Sequence, residues 1–160
     1  MIKLYFILKN FFKKFFKYLN NAHLIASIKN IGKGNIFEEN ITIFRPKNLI
    51  IGDNNFFGKN LYLVAHGKIE IGSNCGIAAD CKFVTRNHIY KDKNTNIDMQ
   101  SYEYKPIIIG DDCWFGYNVI VLPGVTLGRG CVIAAGSVVT KSFEDYSIIA
   151  GVPAKLIEKR

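Results

Sequence analysis

The sequence predicts an all-β fold: a three-sided parallel β-helix of about five coils, with a long extruded loop and an N-terminal amphipathic α-helix. Three observations carry this prediction. Large apolar residues recur every six positions from Ile31 onward. A glycine follows the first residue of each set of three. Residues 86–105 break the period, and it resumes unchanged behind them. A search for such internal periods precedes any assignment of single elements.

In chain order, the first element is the helix, assigned to residues 1–22. Leu4, Leu8, Phe11, Phe15 and Leu19 follow helical spacing, with Tyr5, Phe12 and Phe16 beside them. Lys9, Asn10, Lys13, Lys14 and Lys17 take the other side. An aromatic, basic, amphipathic helix suits the surface of an anionic membrane, with contact through residues 1–19. It equally suits the end of a prism or a neighbouring subunit. His23 carries no motif and reads as structural.

The β-helix is assigned to residues 30–143. Its apolar triplets are Ile31, Phe37, Ile43; Ile51, Phe57, Leu63; Ile71, Ile77, Phe83; Ile109, Phe115, Val121; and Leu127, Ile133, Val139. With 49% apolar residues in the chain, such a run arises only rarely by chance. The triplets begin at 31, 51, 71, 109 and 127, so each is one coil of three six-residue steps, with extra residues at some corners. Each step is a short strand and a turn, with one side chain pointing inward. Segments such as Gly52-Asp53-Asn54-Asn55 and Gly110-Asp111-Asp112 supply corner residues that tolerate left-handed backbone angles. Five coils stacked at ~4.8 Å make a prism on the order of 24 Å tall. Cys75, Cys81, Cys113 and Cys131 each follow an inward residue by four positions, a slot for a small buried side chain. A loop fills 86–105, and residues 144–160 form a C-terminal tail.

Composition narrows the function. No unbroken run of eighteen apolar residues exists, which excludes an ordinary transmembrane helix. No signal-type cleavage pattern is evident. Four cysteines without a CxxC pair suggest reduced thiols and a cytoplasmic location, including the inner face of a membrane. The net charge of +8 raises nucleic acid, a membrane or an anionic small molecule as partners. Lys3, Lys9, Lys13, Lys14 and Lys17 account for five of these charges. No nucleic-acid reading motif accompanies the rest, so no nucleic-acid partner is expected.

Four blocks then stand in order through the second half. They are Ile109-Gly110-Asp111-Asp112-Cys113-Trp114-Phe115-Gly116, Leu122-Pro123-Gly124-Val125, Ala135-Gly136-Ser137-Val138-Val139-Thr140-Lys141 and Ala150-Gly151-Val152-Pro153-Ala154-Lys155. With the hexapeptide period, they make residues 30–160 resemble the left-handed β-helix acyltransferases. Within these the chain is similar to the galactoside, maltose and polysaccharide O-acetyltransferase group. The hand of the β-helix comes from the resemblance, because the usual crossover rule favours the opposite one.

The resemblance implies acetyl transfer from acetyl-CoA, without a metal, to a sugar hydroxyl, in surface-polysaccharide synthesis. The acceptor is a sugar or glycan and the assembly a homotrimer with sites between subunits. It implies that His88, where the loop leaves a coil, is the catalytic base. Imidazole has an unperturbed pKa of about 6.5 and is available neutral near pH 7. A backbone carbonyl or a carboxylate is expected on its other nitrogen. Asn60, His66 and Tyr102 are assigned to the acceptor. Ala65-His66 stands where galactoside enzymes carry sugar-binding Asp residues, which points away from galactoside or maltose as acceptor. Trp114, Gly116, Tyr117, Ala135, Thr140, Lys141 and Lys155 are assigned to acetyl-CoA, with Lys159 and Arg160 as further cations for its phosphates. Glu158 stands where that group has an arginine. An N-acetyltransferase acting on a nucleotide-linked amino sugar and a non-catalytic β-helix scaffold are the alternatives. Antibiotic-inactivating acetyltransferases share the repeats and the loop histidine.

Overall fold

In the computed structural model, which describes residues 22–160, the six-residue period closes into three parallel sheets. The first face stacks β1 (Asn30–Ile31), β4 (Leu49–Ile51), β7 (Ile69–Ile71), β12 (Ile107–Ile109) and β15 (Thr126–Leu127). The second stacks β2 (Ile36–Phe37), β5 (Phe56–Phe57), β8 (Gly76–Ile77), β13 (Trp114–Phe115), β16 (Val132–Ile133) and β18 (Ser147–Gly151). The third stacks β3 (Thr42–Phe44), β6 (Tyr62–Val64), β9 (Lys82–Val84), β14 (Ile120–Val121) and β17 (Val138–Val139). The β-helix is left-handed.

The apolar period is the register of these sheets. Ile31, Ile51, Ile71, Ile109 and Leu127 are successive partners on the first face. Phe37, Phe57, Ile77, Phe115 and Ile133 pair in turn on the second. Ile43, Leu63, Phe83, Val121 and Val139 do so on the third. From the second coil upward these side chains are buried along the prism axis. Each fully buried Leu, Ile or Phe adds about 1.5–3 kcal/mol relative to exposure. Five coils are complete and a sixth is begun, with Phe143 beside Leu127 and Ile149 beside Ile133. The chain then reverses at Gly151, and β19 (Ala154–Lys159) runs back antiparallel to β18.

The corners follow the expected chemistry. At the first edge, between the first and second faces, Gly34, Asn54, Asn74, Asp112 and Gly130 have positive φ. At the second edge Asn40, Asn60, Asp80, Asn118 and Gly136 do. All four cysteines are buried and free. Each thiol donates to a carbonyl of the next coil, as Cys75 does to Gly110 O at 3.3 Å and Cys113 to Gly128 O at 3.2 Å. The same inner slot holds Asn55 one coil below Cys75, and Asn55 Oδ1 accepts from Cys75 N at 2.7 Å.

Two regions differ from the sequence expectation or lie beyond it. The segment 86–105 is no plain loop. Its ends form an antiparallel hairpin, β10 (Arg86–His88) with β11 (Tyr102–Tyr104). Its tip turns around Asp92, whose carboxylate accepts from Asn94 N at 2.9 Å and Thr95 Oγ1 at 2.7 Å. The amphipathic helix and its membrane contact fall on residues 1–19, outside the described residues. Residues 22–26 are helical, and Leu24 and Ile28 pack on the bottom of the core.

Candidate functional site

The hairpin leaves the prism at the third edge, between the third and first faces, and Thr85 fixes the point. Thr85 is fully buried. Its hydroxyl donates to Val64 O at 2.6 Å and accepts from Gly67 N at 2.9 Å. Its carbonyl accepts from Lys105 N at 3.0 Å, so the outgoing and returning strands are tied at one residue. Sequence reasoning passed over Thr85. Its signal is a β-branched hydroxyl residue closing an inward strand just before the period breaks.

The hairpin register decides which side chains meet. Arg86 opposes Tyr104, Asn87 opposes Glu103 and His88 opposes Tyr102. Side chains alternate along a strand, so Arg86, His88, Tyr102 and Tyr104 share one face, with Asn87 and Glu103 on the other. The His88 and Tyr102 rings lie 4.4 Å apart at 52°. The Arg86 guanidinium sits 4.6 Å from the Tyr102 ring centroid. Tyr104 follows at 6.4 Å from Tyr102, and His66 stacks on Tyr104 at 6.0 Å and 16°. Four rings therefore run from His88 down the edge to His66.

His88 Nδ1 is buried and has no hydrogen-bond partner among the described residues. Among the described residues no carbonyl or carboxylate meets this nitrogen. Glu103, on the neighbouring hairpin strand, lies on the opposite hairpin face and pairs with Lys105 Nζ at 3.0 Å. His66 Nδ1 is likewise buried and unpartnered. Burial first, then the charges of Arg86 and Arg45, hold the His66 pKa below its usual value.

Beside His88 opens a cleft of about 600 Å³, lined by His88, Tyr102, Lys105, Leu122, Pro123 and Thr140 among others. Gly124, next to the lining Pro123, has φ +87, and a β-carbon there would meet the Lys105 stem. The structure thus gathers three of the sequence-assigned residues, His88, Tyr102 and Thr140. It adds Lys105, Leu122 and Pro123 to them.

The other assigned residues lie elsewhere. Asn60 sits at the second edge with φ 59; it accepts from Asn40 Nδ2 at 3.1 Å and donates to Asp80 Oδ1 at 2.9 Å. Gly116, Tyr117 and Ala135 occupy the same edge higher up, and Tyr117 is 65% exposed. Trp114, 60% exposed, lies over Gly76 on the outside of the second face. Lys141 stands at the third edge with Nζ 5.5 Å from the Phe143 ring. Of the four cations near the chain end, Lys159 Nζ lies 3.6 Å from Glu144 and Arg160 Nη1 lies 3.0 Å from Asp112. Lys141 and Lys155 have no acidic partner among the described residues. No group of three or more His, Cys, Asp or Glu there is arranged to hold a metal ion.

The fold and sequence are similar to those of known proteins. The family model for the hexapeptide repeat of succinyl-transferase matches residues 48–80 and 106–141. The putative colanic acid biosynthesis acetyltransferase WcaF of Escherichia coli is 33% identical over 81% of this chain and 69% of its own length. The galactoside O-acetyltransferase of Escherichia coli is 37% identical over 70% of this chain, which spans only 54% of that relative. The chain spans 56% of a further relative, the putative acetyltransferase YJL218W of Saccharomyces cerevisiae. Among solved structures, the hexapeptide-repeat acetyltransferase VCA0836 of Vibrio cholerae, complexed with acetyl coenzyme A, superposes with a TM-score of 0.80. That match has 28% identity and covers 87% of this chain and 75% of that one.

Proposed function

The chain belongs to the hexapeptide-repeat acetyltransferase family, and we propose that it moves acetyl from acetyl-CoA to a sugar hydroxyl, with His88 as general base. The observation that carries this reading is His88 facing Tyr102 at the mouth of a cleft that also holds Thr140. In the reaction His88 accepts the hydroxyl proton as the oxygen attacks the thioester carbonyl. The tetrahedral adduct collapses, the carbon–sulfur bond breaks, and the imidazolium returns its proton to the departing thiolate. The products are an acetyl ester and CoA. Tyr102 holds the imidazole in place through its ring. Lys141 and Lys155, the two chain-end cations without acidic partners among the described residues, meet the CoA phosphates.

Apart from Trp114 on the second face and Lys155 in β19, the assigned residues divide between two edges of one prism. His88, Tyr102, Thr140 and Lys141 stand at the third edge, while Asn60, Gly116, Tyr117 and Ala135 stand at the second. In the proposed homotrimer the second edge of one subunit faces the third edge of the next, and each site draws on both. A neighbouring subunit then also offers a partner to the buried His88 Nδ1, which costs about 1–3 kcal/mol if left unpaired. The acceptor we favour is a glycan of surface-polysaccharide synthesis, a reading supported by the likeness to WcaF, which is named for colanic acid biosynthesis. Residues 1–19 would hold the enzyme on the cytoplasmic face of the membrane. Liposome flotation with and without those residues tests this, and equal flotation rejects it.

The central test is CoA release from acetyl-CoA across a panel of sugar acceptors. The His88→Ala protein should lose about 10²–10⁴-fold in kcat/KM. Full transfer activity in that protein rejects the reading.

A further inference from the structure

Below the catalytic hairpin, the third edge carries Arg45, His66 and Arg86 on three successive coils. Strand register fixes the stacking. Phe44, Val64 and Val84 are partners in turn, so Arg45 leaves the first coil just where Ala65 and His66 leave the second and Thr85 and Arg86 leave the third. His66 and Arg86 hold equivalent places one strand spacing apart, about 4.8 Å.

Five observations set this cluster apart from an ordinary charged surface. Neither arginine has an acidic partner among the described residues, although Lys68, Lys105, Lys159 and Arg160 all do. Both guanidinium charges act on His66. Arg45 has φ 60, a left-handed angle that Gly, Asn or Asp fills at most other corners. A long basic side chain there carries a backbone cost that a neutral turn residue avoids. His66 Nδ1 is buried without a partner beside these charges. The rings of Tyr104 and Tyr102 connect the cluster to His88 without a break.

We propose that Arg45, His66 and Arg86 form a subsite for a phosphate or diphosphate group carried by the acceptor sugar. This deepens the acetyltransferase reading and rests on it. The charge count selects phosphate over carboxylate. Two guanidinium groups with no acid among them match a group of about two negative charges, as a phosphate monoester carries near pH 7. Arg86 is held by the Tyr102 face, so its guanidinium is oriented before the anion arrives. The acceptor hydroxyl then lies up the edge, at His88. The class of acceptor is a sugar still attached to an activating or carrier phosphate, not a free neutral oligosaccharide.

The test compares matched acceptors in the full-length protein: a methyl hexoside, the hexose 1-phosphate, the methyl hexuronide and a nucleoside-diphosphate hexose. The phosphorylated sugars should be preferred by tenfold or more in kcat/KM, and Arg45→Gln and Arg86→Gln should each reduce that preference by about tenfold. The ratio between the two phosphorylated acceptors shows whether a monoester or a nucleotide diphosphate is the source. Arg45→Lys should retain part of the preference, which a folding defect would not allow. A second readout needs no turnover: inorganic phosphate should shift the His66 ring resonances in the wild type, and not in the Arg45→Gln, Arg86→Gln double variant. Equal turnover of neutral and phosphorylated acceptors, a hexuronide favoured as strongly as the phosphate, or no His66 response to phosphate overturns the subsite. The acetyltransferase reading fails separately, through an unaffected His88→Ala protein.

Discussion

His88 and Tyr102 face each other across the hairpin that leaves the third edge, their rings 4.4 Å apart. The contact is a cross-strand pair, and in the proposed mechanism Tyr102 positions the imidazole through its ring. Tyr102→Phe keeps the ring and should keep kcat within about threefold. Tyr102→Ala removes the ring and also frees Arg86, and kcat should fall by roughly tenfold to a hundredfold with little change in the KM for acetyl-CoA. Steady-state kinetics of the two variants decides it; equal losses in both would assign the role to the hydroxyl instead.

Thr85 predicts a stability effect. Its hydroxyl bridges Val64 O and Gly67 N in a fully buried position. Thr85→Val keeps the shape and leaves the Gly67 N–H unpaired, at about 1–3 kcal/mol, while Val64 O keeps its bond from Thr85 N at 3.1 Å. Thermal denaturation should show a lower Tm. Hydrogen exchange at Lys105 N, which bonds Thr85 O, should quicken more than exchange in the sixth coil. Uniform quickening would mean that Thr85 supports the prism as a whole and not the hairpin base.

Much of the fold is legible in the sequence because one inward residue per strand is an all-or-nothing requirement. Fifteen apolar positions, read only as a period, are the partners in the three sheets. The hairpin is not legible that way. Its strands are pinned by cross-strand ring and cation contacts among Arg86, His88, Tyr102 and Tyr104, which bury no apolar row and leave no period. Asn60 shows the opposite difficulty. Resemblance assigns it to the acceptor, while its positive φ and its bonds to Asn40 and Asp80 give it a corner role that any turn asparagine could fill. His66 and the arginines around it come together only when coils stack, since their separation along the chain hides a distance of one strand spacing.

Gly124 predicts a local backbone effect. Its φ is +87, and a β-carbon there would meet Lys105 Cδ at 3.2 Å. Gly124→Ala should cost about 1 kcal/mol or more, since alanine is strained at that angle. It should also push the Lys105 stem away from the cleft floor. The KM for acetyl-CoA or acceptor should rise more than kcat falls. An unchanged KM would place Lys105 outside the substrate path.

His66 gives a pH signature. Burial and the Arg86 and Arg45 charges lower its folded pKa below the unfolded value of 6.5. The unfolded chain therefore binds the proton more readily in the range just below pH 6.5. Stability from this group is present above that pH and is lost as pH falls toward the folded pKa. Replacing His66 with Gln should flatten the decline in Tm measured between pH 7 and pH 5. A Tm that declines equally in both proteins would locate the acid sensitivity in other groups.

The division of assigned residues between two edges yields a complementation test. His88→Ala damages the third edge and Tyr117→Ala, on an exposed side chain, damages the second. In the proposed homotrimer, each single-variant assembly should be impaired. In mixed trimers a site is whole when the His88 edge comes from one variant and the Tyr117 edge from the other. Every mixed trimer should have about one third of its sites restored, because only one of its three interfaces joins an intact His88 edge to an intact Tyr117 edge. Co-expression with two affinity tags, followed by activity measurement on the doubly captured fraction, reads this directly. Sites built within one chain give no recovery in the mixture beyond the sum of the parts, and a particle with the mass of one chain would remove the shared site altogether.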